Sequence, residues 1–140
     1  MKPPCMIVVQ YILPALRVAI AKELIERYGL RKTEVADKMD VTPAAITQYL
    51  KRSRGETASG VVEGSSKVMD LVSEISRDLV EGDRPADQLL YKICLACRAV
   101  RAEGLICELH MEAMPSLRRI ESCACSLGLV GWSPEQSKAD

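Results

Sequence analysis

The stretch from Thr33 to Leu50 constrains the fold of this chain more than any other. Val35 and Met39 stand one helical turn apart, Val41 follows, and Ile46, Tyr49 and Leu50 repeat at three and four. This spacing predicts two short helices that meet at a steep angle across a turn, with those residues facing inward. Ala36 is small, as a position must be where a second helix crosses closely. Thr42 is suited to cap the second helix by accepting a backbone N–H. Pro43 fits the first helical position, where an N–H has no partner to find. A plain helical hairpin shares the apolar spacing, but the small residue and the cap together favour a helix-turn-helix.

The surrounding composition agrees with helices. Phe is absent and aromatic residues make up only 4% of the chain, whereas 48% is hydrophobic. The core must then be built from Leu, Ile, Val, Ala and Met, a palette that favours helices over a β-sandwich. The expected fold is all-α, with an N-terminal helix-turn-helix domain and a C-terminal helical, Cys-rich dimerisation and sensor region. Leu16, Ala19, Ile20, Leu24 and Tyr28 mark a helix from Pro14 to Tyr28, stopped by Gly29. A short separate helix over Ile7 to Leu13 is expected to end near Pro14.

The net charge of zero hides an asymmetry. Residues 1–54 carry ten Lys and Arg against five Asp and Glu, while residues 55–140 carry nine against fourteen. A basic front half is what a phosphate binder requires; the acidic back half is a poor partner for DNA. The apolar run after Lys2 mimics a secretory leader, but Gln10, Pro14 and Arg17 interrupt it. We read it as a core helix and expect no apolar run reaching the roughly 18 residues of a bilayer span. On that reading the protein is cytoplasmic and makes no membrane contact. Its thiols stay reduced, so clustered cysteines point to metal binding or redox work.

Val35-Ala36-Asp37-Lys38-Met39, followed by Val41-Thr42, resembles phage-repressor-type (Xre-like) helix-turn-helix domains. The longer run from Pro3-Pro4-Cys5 through Leu13-Pro14-Ala15 and Ile20-Ala21-Lys22 to Val41-Thr42-Pro43-Ala44-Ala45-Ile46 resembles the N-terminal domain of a group of archaeal predicted transcriptional regulators. Two positions depart from the motif. Asp40 stands where Gly is common, and Asp tolerates the left-handed backbone such a turn needs. Arg31 stands where a Ser-type cap is usual. The resemblance implies that the second helix enters the major groove of double-stranded DNA with Thr42, Pro43, Ala44, Thr47, Gln48 and Lys51 facing outward. Gln48 is suited to adenine, Lys51 to guanine or phosphate, and the Ala44 methyl to a thymine methyl. Arg31, Lys32, Thr33, Arg52 and Arg54 are placed for phosphate contacts that orient without specifying. Arg52 and Arg54 read equally well as part of a solvated linker.

The sequence divides into residues 1–52 as the DNA-binding domain, 53–65 as a Gly- and Ser-rich linker, and 66–140 as the helical, Cys-rich region. Ser66 is expected to cap a helix to Glu81, stopped by Gly82, with Val68, Leu71, Val72, Ile75 and Leu79 on one stripe. A second helix starts after Asp83, near Pro85, and runs to about Arg101. Leu89, Leu90, Ile93, Cys94, Cys97 and Val100 share its face, and Gly104 stops it. Two helices with so few large side chains call for more cover, so a homodimer is expected; a compact monomer folded back on the DNA domain is the alternative.

Beyond residue 90 the spacing is Cys94-x2-Cys97-x9-Cys107-x2-His110-x12-Cys123-x-Cys125. Five thiols exceed the four a tetrahedral site needs and suit an iron–sulfur cluster, of the 4Fe–4S kind, or Zn²⁺. Zinc would recruit His110 as a ligand; a cluster would not. Leu95-Ala96 are helix formers, not the turn residues that commonly wrap two sulfurs around one ion. The plan resembles iron–sulfur-containing regulators, although the spacing matches no standard ferredoxin. Cys5 is read as a buried packing residue without chemistry.

The expected function is a non-enzymatic, sequence-specific transcription regulator, modulated through redox or iron sensing at the thiol site. Two alternatives stay open: a DNA-binding regulator with structural zinc, and a thiol-redox or electron-transfer protein. The last lacks a βαβ context for Cys94-Leu95-Ala96-Cys97 and any visible catalytic base.

Overall fold

The structure, a computed structural model, describes residues 1–51 and 57–119. It is all-α. Helix α1 spans Pro4–Glu26, α2 Lys32–Lys38, α3 Pro43–Lys51, α4 Thr57–Gly64, α5 Ser66–Glu81, α6 Ala86–Ala102 and α7 Cys107–Ala113, and a 3₁₀ turn at Pro115–Arg119 comes last.

Helix α1 is the axis. The separate helix expected before Pro14 does not exist; one helix runs straight through the proline. Its turn over Val8–Ile12 is widened to π geometry, with the Leu13 N–H donating to the Val8 carbonyl. A proline inside an α-helix lacks a donor and clashes with the carbonyl four residues back. The widened turn just ahead of Pro14 is the local adjustment that accommodates it. Ile7, Ile12, Leu16, Ala21 and Leu24 are essentially inaccessible along its length. The expectation that no apolar run could span a bilayer needs correcting: by length and composition alone α1 qualifies. In the fold it packs against α3, α4 and α5, and its buried residues form the middle of the core.

The second correction concerns residues 53–65. From Thr57 to Gly64 the chain is helical. Val62 is 1% exposed and belongs to the same core as Leu24 and Ile46. Among the described residues the two expected halves therefore share one hydrophobic core. Gly and Ser lower helix propensity, but burial of Val62 in the shared core outweighs a weak local preference.

Helix α5 is capped by Ser65, one residue ahead of the expected Ser66: its hydroxyl accepts from the Val68 N–H at 3.3 Å. The helix ends at Glu81, and Gly82 takes the left-handed conformation (φ +72°) that closes it. Helix α6 packs on α5 through Ala96, Ala99 and Val100, with Ile93 and Cys97 half-buried beside them. Two members of the expected apolar face are turned outward, Leu90 and Cys94, while Leu89 is half-buried. Small residues let α5 and α6 approach closely, which moves the buried stripe around the helix.

One ionic cluster ties these two helices. Asp78 on α5 is 2% exposed and pairs with Lys92 on α6 and with Arg84, the latter at 3.7 Å. Lys92 also reaches Glu74 at 2.7 Å. Hydrogen bonds to Asp78 first and Glu74 second hold the Lys92 ammonium above the ordinary lysine range, against a smaller opposing effect of burial.

Candidate nucleic-acid interface and thiol site

Helices α2 and α3 form a compact pair seated on α1. Val35 and Ile46 are fully buried and Ala36 is 2% exposed; Met39, Val41, Tyr49 and Leu50 pack around them. The connection is a left-handed cap. Asp40 adopts φ +53°, the Met39 N–H donates to Val35, and the Val41 N–H donates to Ala36, each at 3.0 Å. Asp is among the few non-glycine residues that take this conformation readily. Thr42 then caps α3, its hydroxyl accepting from the Ala45 N–H at 3.2 Å, and Pro43 is the first helical residue.

With Ile46 anchored, the opposite side of α3 faces outward. Thr42, Pro43, Ala44, Gln48 and Lys51 are exposed. Thr47 is half-buried, and its hydroxyl donates to the Pro43 carbonyl at 3.2 Å, so only part of its hydrogen-bonding capacity is free. Arg31, Lys32 and Thr33 are exposed at the start of α2. Arg31 is the N-cap without a side-chain bond, as its chemistry dictates, and lies 3.9 Å from Glu34. Arg52 and Arg54 lie outside the described residues.

Three of the expected sulfur ligands are described: Cys94, Cys97 and Cys107, all free thiols. Cys123 and Cys125 lie outside the described residues. Cys94 is exposed on α6, and Cys97 one turn later is half-buried. Burial raises the Cys97 thiol above its ordinary value; Arg101 opposes this, and the nearby Cys94 and Cys5 sulfurs add to it. Cys107 opens α7 beyond the Gly104 turn. Among the described residues, no three His, Cys, Asp or Glu side chains already converge as a metal site. The donor chemistry nevertheless fits a soft metal: unpaired thiols on α6 and α7, with a guanidinium beside them.

His110 is 4% exposed, and its Nε2 lies 2.6 Å from the Lys2 carbonyl oxygen. A carbonyl only accepts, so Nε2 carries the proton and Nδ1 is left as the atom able to bind a metal. The bond pins the N-terminal residues to α7, and the first turn of α1 packs there. Cys5, expected to be buried, is exposed on that turn. Sequence reasoning missed this arrangement because nothing local links residue 5 to residues 97–110. The same holds for Arg101, whose Nε is buried without a hydrogen-bond partner among the described residues.

Comparison of the chain with protein-family profiles, with curated proteins and with solved structures found no match. The functional reading therefore rests on the residues themselves.

Proposed function

We propose that the chain is a sequence-specific, double-stranded DNA-binding transcription regulator of the cytoplasm. In this reading it acts as a homodimer, without enzymatic activity, and is modulated by a soft-metal centre, an iron–sulfur cluster, at the thiol end. The observation that carries the first part is the outward side of α3. Thr42, Ala44, Gln48 and Lys51 stand exposed over a completely buried Ile46, with Arg31 and Lys32 exposed at the start of the neighbouring helix. A helix whose exposed side runs from the Thr42 cap through Ala44 to Gln48 and Lys51, with Arg31 and Lys32 flanking it, is a surface of the kind the major groove admits. Gln48 and Lys51 read base edges, while Arg31, Lys32 and Thr33 engage phosphates. One such module covers a short site, and pairing two copies places half-sites about one helical turn apart. The exposed Leu90 and Tyr91 on α6 supply apolar surface for that pairing.

At the thiol end, Cys94, Cys97 and Cys107 hold the metal and Arg101 balances its negative charge. A bound cluster supplies a change of charge on oxidation or loss. That change alters activity only if the two states favour different packings of α6 and α7. One observation favours structural zinc as a second reading. The Nε2–H of His110 bound to a backbone carbonyl is the arrangement metal-bound histidines usually show at their outer nitrogen.

Selection from a random duplex pool, with fluorescence anisotropy on the enriched sites, tests the DNA reading. The expected result is an enriched site, binding that weakens steeply with salt, and loss of preference in Gln48→Ala. Failure to enrich any duplex, with the protein folded and metal-loaded, sinks the proposal.

A further inference from the structure

Helices α5 and α6 leave a groove of about 480 Å³ lined by residues of those two helices alone. The flank of α5 that meets α1 is a different one, where Met69 and Ser73 line a second hollow and the Ser73 hydroxyl reaches Glu23 at 3.5 Å. Leu71 and Leu95, both half-buried, give the outer groove an apolar middle. Around them stand Lys67 and Arg98 against Asp70 and Glu74, two cations and two anions. Charges that cancel in this way do not attract a polyanion such as DNA, and they suit a partner that carries both signs.

A second copy of the chain is such a partner, and the face of α6 beside the groove is complementary to itself. Tyr91, 64% exposed, precedes Leu95 by four residues, and the exposed Arg98 follows it by three. At that spacing the three side chains share one side of the helix. A two-fold axis beside Leu95 runs α6 antiparallel to its copy. Tyr91 is then about 6 Å before the axis and Arg98 about 4.5 Å beyond it. The near-equal offsets set Tyr91 against the partner's Arg98, twice, as guanidinium–ring pairs. Arg98 has no ion-pair partner among the described residues that would hold it elsewhere. The two helices hold 16 and 17 residues. At about 25 Å long and about 10 Å wide each, they present roughly 500 Å² in projection, the same order as the roughly 800 Å² per partner of a stable interface.

We propose that the α5–α6 groove is the interface between two copies of this chain, with Leu95 at a two-fold axis and Tyr91 stacked on the partner's Arg98. The inference rests on the homodimer of the functional reading and names the surface that makes it. Of the two exposed apolar residues of α6, Tyr91 belongs to this face. Leu90 lies about 100° round the helix, on the flank of Cys94 and Cys97. The interface thereby leaves the thiol flank of α6 uncovered.

The test is sedimentation equilibrium of the full, reduced chain over a wide concentration range, with circular dichroism to verify folding. The wild type should be a dimer. Leu95→Asp sets two like charges together at the axis and should weaken dimerisation by more than about 100-fold. Arg98→Glu changes an exposed side chain, keeps the fold, and should weaken it about tenfold; it decides the matter if Leu95→Asp does not fold. The double variant Tyr91→Lys/Arg98→Glu restores opposite charges across the axis and should recover most of the loss, which a residue acting only within its own chain would not do. In a separate arm, p-benzoylphenylalanine in place of Tyr91 should photo-cross-link to the partner around Arg98, mapped by mass spectrometry on mixed isotopically labelled and unlabelled chains. A wild-type dimer that Arg98→Glu leaves unchanged, or a cross-link elsewhere on the partner, overturns this surface and leaves the homodimer standing. A monomeric wild type, or a cross-link from position 91 to residues 120–140 of the same chain, overturns the inference; binding to selected duplexes tests the DNA reading separately.

Discussion

The α2–α3 pair and the thiol end solve different problems, and the contrast shows how each depends on the rest of the chain. The pair is assembled from neighbours in sequence. Its turn and its cap, Asp40 and Thr42, lie within residues 31–51, and the pair then rests as a unit on α1. The thiol end draws on both ends of the described chain: His110 meets the Lys2 carbonyl, and Cys97 feels Arg101, Cys94 and Cys5. Among the described residues, one region is complete without a ligand, and the other holds free sulfurs and an Arg101 Nε with no hydrogen-bond partner. A surface that recognises by shape must be built in advance, whereas a metal site can be finished by its metal.

The largest expected effect breaks the first half of that contrast. Ile46→Ala removes the only fully buried side chain of α3 and should destabilise the protein by about 3–4 kcal/mol through cavity formation. Urea denaturation measures it, and a loss under about 1 kcal/mol would mean that α3 is not anchored on the core through this residue.

Next comes the α5–α6 tie that the thiol end leans on. Lys92→Ala strands Asp78 in a nearly inaccessible position with only Arg84 beside it, so a loss of about 3 kcal/mol is expected. The Lys92 ammonium is held above its ordinary range. Its contribution is therefore fully present below the unfolded lysine value, about pH 10.4, and fades as pH rises through the higher folded value. Wild-type stability should fall in that alkaline window more steeply than that of Lys92→Ala; parallel curves would dissociate the pair from stability.

Gln48→Ala leaves the fold intact, since the side chain is exposed, and should weaken the preferred duplex by about 1–3 kcal/mol with relaxed sequence preference. Equal loss on all duplexes would remove Gln48 from base recognition. The smallest effect is at the cap: Thr42→Ala should cost about 1 kcal/mol, read from the thermal midpoint. No shift would show that the 3.2 Å bond to Ala45 contributes nothing measurable.

Legibility in the sequence divides along the same line. The all-α class, the stops at Gly29, Gly82 and Gly104, and the left-handed Asp40 were all readable because each depends on residues within one turn. The continuity of α1 through Pro14 was not, because the widened turn that permits it leaves no residue signature. Helix formation over Thr57–Gly64 was hidden by Gly and Ser, whose weak propensity is overruled by Val62 packing on the core. Cys5 was misplaced for a third reason. Its company is set by the Lys2 carbonyl meeting His110 across 108 positions of chain, and no local pattern encodes such a meeting. Of the candidate interface, exposure of Thr42, Pro43, Ala44, Gln48 and Lys51 agreed with the helical spacing. Thr47, folded back on Pro43, did not match so fully.

The widened turn at Val8–Ile12 also sets an azimuth. Each residue of an α-helix advances about 100° around the axis, and one π turn inserts roughly that much arc between the residues before it and those after it. Wound as a uniform α-helix, α1 would keep Leu16 and Leu24 facing inward but swing Cys5 by about a quarter-circle, away from the sector where α7 lies. A proline at position 14 thus acts nine residues upstream, by setting the bearing of the first thiol of the chain.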